Sequence, residues 1–345
     1  DYADKWYDLP AGWYVVKGDV TFTPRLDTHG AVNLILTDGS HLTTEWGINV
    51  KEGDTFTVYA QSTGEDTMGR LTACLSEDLL DTPYYVWQNY GLPGIGSSTR
   101  YRKANSCIYE NGGTIIINGG NIRAKGQDKA SAIGECGYDT VTQSPSSENR
   151  QCGSITINGG IVRTEALTRK TTTGSMGIGS CRSGYGGSVT INGGTVMANA
   201  FNDAICTGRG GSITINDGDI TARGGLGESG RGNGIGPSWI TYADITINGG
   251  NIDASADGRG AAIGGVLSTR VKITDGTIKA VGNYATVAIG SNEGRGGSVS
   301  ITGGKITAIG KGDADGIGGH ADVSITDGEI DVSVEGSGVA IGGNA

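Results

Sequence analysis

Hydrophobic and polar positions alternate along this chain in short bursts, and the bursts come in sets of three. In Ser154-Ile155-Thr156-Ile157 the two isoleucines fall on one side of an extended backbone and the hydroxyl residues on the other, which predicts a half-buried strand. After an Asn-Gly-Gly turn a second burst follows, as in NIDAS at 251 to 255, with Ile252 and Ala254 facing in and Asn251, Asp253 and Ser255 facing out. A variable loop then leads to a third, shorter run with one isoleucine: SAIG at 131, MGIG at 176, NGIG at 233, AAIG at 261 and VAIG at 287.

The set repeats. GSITINGG at 153 returns as GSVTINGG at 187, GSITINDG at 211, ADITINGG at 243, GSVSITGG at 297 and ADVSITDG at 321, and the shortest interval, Val189 to Ile213, is 24 residues. Such units cannot bury an apolar face alone and gain a core by stacking. Asn-Gly between alternating runs is also a hairpin signal, but a hairpin array has no use for the third run. The pattern therefore predicts an all-β fold, a single-stranded right-handed parallel β-helix of about eleven three-strand coils, roughly 50 Å long at a spacing of about 4.8 Å per coil. Weaker copies reach back to VNLIL at 32 and TFTVYAQS at 55. Residues 1–30 are read as an N-terminal cap and first coil, with Asp1 to Pro10 blocking the edge, and 31–345 as the helix, with long loops at 75–93, 97–113 and 135–152. The corner at 158 and 159, which elsewhere holds Asn, Asp, Thr or Gly, is expected to carry the positive φ of a sharp turn.

Composition narrows the picture. Gly numbers 64 and aromatic residues make up 6%, too few to fill a broad globular core but enough for a narrow stacked one. The net charge of -10 speaks against nucleic acid and anionic membrane surfaces as partners. No stretch approaches the ~20 apolar residues of a membrane span, and a chain opening on Asp1 reads as a mature or excised segment. Six cysteines lack CxxC or His-paired metal spacing, which favours disulfides in an oxidising compartment. Four of them, Cys107, Cys136, Cys152 and Cys181, lie in neighbouring loops.

The phrases ITINGGxI and AIGG, preceded by WYVVKGDVTF, LILTDG and FTVYAQS, resemble the Gly-rich repeats of large secreted or cell-surface proteins of anaerobic gut and rumen bacteria. The resemblance covers almost the whole chain. It implies an extracellular modular protein, adhesive or associated with polysaccharide, with room for further domains in a parent chain, and it supplies no catalytic residue.

Function is sought where the repeat is interrupted. If the corner loops align, Tyr101, Tyr109, Tyr138, Tyr185, Trp239 and Tyr242 form a row along one side, stiffened by the loop cysteines. Aromatic rings with nearby polar groups suit a polysaccharide or glycoprotein glycan, although loop tyrosines also simply cover corners. A second group, Tyr84, Tyr85, Trp87 and Tyr90, follows a second run and is expected to pack on the flank. Polysaccharide lyases and glycosidases use this kind of scaffold, so an enzyme is the alternative. Its best candidates are Asp219 and Asp253, on neighbouring coils with Cα atoms about 8 Å apart, with Arg223 beside them. A stalk without ligand is the third reading. No cofactor is expected; calcium is the one candidate, at NDGD (216–219) or GDADG (312–316), where Asp and Gly also serve turns. His29, His41 and His320 are too scattered for a metal site or triad. The outward Ser and Thr columns are similar to the flat arrays of ice-binding helices, but they are broken at Asp244, Arg270, Lys272 and Asp322, and Thr is a good strand residue in any case.

Overall fold

A computed structural model describes residues 6–73, 92–102, 106–127, 130–135, 150–167, 175–180, 184–226, 232–237, 242–284, 287–293 and 296–342. The described residues form a parallel β-helix whose coils each contribute to three faces. On the first face Thr55–Ala60, Thr114–Ile117, Gln151–Ile157, Tyr185–Ile191, Ser212–Ile215, Asp244–Ile247 and Arg270–Ile273 pair in parallel, one coil upon the next. The second face runs likewise from Asp19–Phe22 through Asn121–Gln127 and Asn251–Asp257. An eight-stranded sheet from Ser131–Gly134 to Ile341–Gly342 makes the third. In the last two coils the first two faces merge into long strands, Gly297–Gly312 and Ala321–Gly336. Among the described residues this gives eleven rungs on the first face and eleven on the second.

The core is the stack of inward side chains that alternation selects. Ile155 and Ile157, Val162, and Ile178 are each at most 3% exposed, and their aliphatic equivalents on the coils from Thr55 to Gly319 match them. Ala124, Ala198, Ala222, Ala254, Ala280 and Ala308 stand beside the second-face column, all fully buried, because the narrow cross-section leaves room for a methyl there. Each buried Ile contributes roughly 2 to 3 kcal/mol of transfer free energy, so a core this thin depends on its length.

The turn between the first two faces differs from the expectation at 158 and 159. Positive φ falls on the next residue, Gly160 (φ 84°), where a Cβ would lie 2.5 Å from the Gly120 carbonyl oxygen of the neighbouring coil. The left-handed bend and the close coil contact coincide there, which leaves Asn, Asp and Thr free to occupy the positions before it. The Asn position has its own role: Asn158, Asn192, Asn216 and Asn248 each donate Nδ2 to Oδ1 of the Asn one coil back, starting at Asn118, at 2.7 to 2.8 Å. Thr274 ends the row, its hydroxyl donating to Asn248 Oδ1 at 3.0 Å.

The N-terminal segment takes part in the stack. Trp6–Val16 pairs in parallel with Arg25–Leu36, so residues 6 to 10 form the outermost rung of the third face. Tyr14 and Phe22 pack against the core from the first coil, and Tyr7 contacts Phe22 with ring centroids 5.5 Å apart. At the other end Val323, Ile325, Ile330 and Val332 are only partly buried, and Ile341 is 49% exposed.

Candidate functional site

Three regions hold side chains beyond what the stack requires. The first is the corner where third-face strands return to the first face. The 97–113 loop contains an antiparallel hairpin, Thr99–Arg102 with Ser106–Tyr109, in which Tyr101 stands opposite Cys107. Tyr101, Cys107 and Tyr109 are placed as backbone positions of that hairpin. Tyr138, Trp239, Cys136, Cys181 and the group Tyr84, Tyr85, Trp87 and Tyr90 lie outside the described residues. No disulfide links any two described residues; Cys206 is buried and donates its thiol proton to the Ser180 carbonyl at 3.1 Å.

Tyr185 and Tyr242 do align, with an unexpected residue between them. The Arg209 guanidinium lies 5.8 Å from the Tyr185 ring centroid and 5.7 Å from that of Tyr242, and Gly210 donates its N–H to the Tyr242 carbonyl. The rings thus clasp a cation and tie three coils together. Sequence spacing places the two tyrosines; Arg209, in the short GRGG turn, shows itself only when the coils are stacked.

A polar network fills the same corner near the N-terminus. Asp27 accepts from Asn49 Nδ2 at 2.7 Å and pairs with Lys51 at 3.2 Å, and Lys51 also pairs with Asp54 at 3.1 Å. His29 Nε2 is 3.0 Å from Asp8 Oδ1 and 3.6 Å from Asp27 Oδ2, so the fold gathers one of the three histidines with two carboxylates. Further along, Glu135 is 3% exposed; its Oε1 accepts the Gly153 N–H at 2.7 Å, while Oε2 is buried without a hydrogen-bond partner. Burial pushes the Glu135 pKa up, against the opposing pull of the Gly153 N–H and the Arg150 charge. A carboxyl whose folded pKa is raised adds no penalty below its unfolded pKa and destabilises the fold as pH rises through the folded value. Glu135→Gln, which keeps an oxygen for Gly153, is therefore expected to raise the Tm at pH 8 and leave it unchanged at pH 4. Thermal unfolding at the two pH values checks this, and an equal loss at both would refute it.

The third region is a trough along the outer corner between the first and second faces. It is an open groove of about 840 Å³ that spans five coils, with Gly194, Gly218, Gly250, Gly276 and Thr195, Asp219, Asn251, Thr277 and Lys305 among its lining. The glycines leave a floor without side chains. Each coil then supplies one polar residue at the start of its second-face strand, and strand register puts these in one column: Thr195 beside Asp219, Asp219 beside Asn251, Asn251 beside Thr277, Thr277 beside Lys305. Asp217 and Asp275 stand on the rim.

Asp219 belongs to this trough and Asp253 does not. Asp253 pairs in register with Thr221 and Lys279, two residues further along the flat second face, which is the offset expected from sequence. Arg223 sits beside Ser255. Some other outward charges on that face are paired: Glu165 with Arg123 at 2.8 Å and Lys125 at 3.5 Å, and Arg163 with Glu65 at 3.1 Å.

Comparison with known proteins agrees with this architecture. A family described as Beta helix repeat matches residues 189–205, 213–239, 245–265 and 299–319. No curated protein and no solved structure matches the chain. Each matched stretch begins at an inward first-face residue, Val189, Ile213, Ile245 or Val299, and runs through its coil. By matched repeats and by strand pairing alike, the chain contains a parallel β-helix repeat region.

Proposed function

We propose that this chain is an extracellular glycan-binding or adhesive module and that its polysaccharide lies lengthwise in the trough between the first and second faces. The observation that carries the reading is the column of one polar side chain per coil above a glycine floor. Sugar hydroxyls need fixed hydrogen-bond partners, and carboxylate, amide and hydroxyl groups repeated at about 4.8 Å supply them at intervals close to one sugar of an extended polymer. Backbone at the floor lets a ligand approach closely, and the rigid stack holds the partners in place before binding. The Tyr185, Arg209 and Tyr242 stack supports the same reading in a lesser way, because Tyr242 remains 47% exposed.

The test is binding to a panel of plant and mucin polysaccharides by affinity electrophoresis, with calcium and with chelator. An Asp219→Ala, Asn251→Ala double variant is expected to bind at least ten-fold more weakly, since a hydrogen bond to a charged group contributes about 1.5 to 3 kcal/mol. Binding that survives this variant but is lost in Tyr242→Ala would move the site to the aromatic corner. Release of reducing ends or unsaturated sugars during incubation would replace the adhesive reading by an enzymatic one.

A further inference from the structure

The charges along the trough narrow the class of glycan. Three carboxylates, Asp217, Asp219 and Asp275, line it against one cation, Lys305, whose Nζ is engaged by Glu329 Oε1 at 2.7 Å. Lys272 and Lys279 stand on the flat faces of the coil that carries Asp275, outside the lining. Arg270 is engaged by Asp244 through two hydrogen bonds, at 2.5 and 2.8 Å.

The rim carboxylates are also regularly placed. At the middle position of the turn, successive coils carry Asp217, Gly249, Asp275, Gly303 and Asp327, so an acid recurs on every second coil, about 10 Å apart by strand spacing. Asp217, Asp275 and Asp327 each accept the N–H of the following glycine, at 2.8, 2.7 and 2.8 Å. One carboxylate oxygen is thereby pinned to the turn and the group is held at the rim.

We infer that the trough selects glycans bearing protonated amino groups and rejects uronate polymers. This rests on the glycan-binding reading and adds a charge preference to it. An ammonium on alternate sugars of a chain lying along the stack would meet Asp217, with Asp219 on the same coil, and then Asp275, with Asn251 on the coil between them. A uronate in the same place would face like charges with only the engaged Lys305 to offset them. The whole-chain charge of -10 also attracts polycations from a distance, so the local effect must be separated from the general field.

The experiment compares three probes near pH 5.5 at moderate salt: glucosamine oligosaccharides, their N-acetylated forms of equal length, and oligogalacturonate. The amine form is expected to bind at least ten-fold more tightly than the acetylated form, and oligogalacturonate not at all. In Asp217→Asn, Asp275→Asn the preference is expected to vanish while binding of the acetylated form persists. Asparagine keeps the oxygen that accepts the glycine N–H, so the turn is preserved. Asp322→Asn, Glu335→Gln removes the same charge from the last coil and is expected to keep the preference. Equal binding of amine and acetyl forms would overturn the charge selection while leaving glycan binding intact, and so would an equal loss in the last-coil control. Calcium-dependent capture of oligogalacturonate that requires Asp217 and Asp275 would also overturn it, in favour of a bridging cation. Binding of no glycan by the parent protein would overturn both readings.

Discussion

Gly134→Ala is expected to destabilise the fold by more than about 4 kcal/mol, the range reserved for a few severe mechanisms. Two of them act at this position. Gly134 has φ 134°, a conformation costing an L side chain on the order of 1 to 3 kcal/mol. A Cβ there would also stand 1.8 Å from the Gly179 carbonyl oxygen of the next coil, which is backbone and cannot rotate away. Nor can the next coil retreat freely, because a Cβ on Gly179 would itself meet the Cys206 carbonyl oxygen at 1.7 Å. Third-face coils are in close backbone contact along this column, where Cys206 replaces glycine on one coil, and opening one gap strains the following one. Gly159→Ala is the matched control: its nearest neighbour would be 3.5 Å away and no left-handed φ is required, so the change should be neutral or stabilise by up to about 1 kcal/mol. Urea unfolding of the two variants, followed by far-ultraviolet circular dichroism, measures the difference. Equal midpoints would mean that the coil contact at Gly134 yields easily.

The same glycines show what was legible beforehand. Runs such as SITI and AIGG announce inward columns because a strand has period two and each inward position repeats the same small aliphatic residue; Ile157 and Ile263 are fully buried as that pattern requires. Register was legible too, since aligned repeats place Asp253 one coil beyond Asp219 and two residues along. Concavity was not. Whether outward side chains converge depends on the shape of the corner, and the trough arises from glycines read in the sequence only as turn formers. The Asn row escaped notice for a similar reason: at a turn, Asn serves local backbone needs, and only stacking brings Asn158 within 2.7 Å of Asn118. The N-terminal polar network was least legible, because its partners are distant in sequence and belong to no repeated phrase. His29 with Asp8 and Asp27 is one instance, and Arg25 is another.

Arg25→Met is expected to cost about 3 to 5 kcal/mol and to split the unfolding of the helix into two steps. Arg25 is 1% exposed, and its guanidinium donates to the carbonyl oxygens of Trp46 (2.5 Å), Pro93 (3.0 Å), Ile48 (3.2 Å) and Gly96 (3.1 Å). Ile48 O and Gly96 O also accept backbone N–H groups, from Gly96 and Val50, so they keep a donor when the guanidinium is removed. Trp46 O and Pro93 O would each lose the hydrogen bond from the guanidinium, and a hydrogen bond to a charged group contributes about 1.5 to 3 kcal/mol. Lysine offers a compact charge in place of a planar fork and cannot reach four acceptors, so Arg25→Lys should recover only part of the loss. Stacked repeats depend on their neighbours, hence the damage should stay in the coils whose strands Arg25 joins. Hydrogen exchange would then show lost protection across residues 6 to 60, with Ile205, Ile235 and Ile263 on the later coils as protected as before. A single transition at the parent Tm would show instead that the first coils hold without this residue, and that their register is set by the inward columns alone.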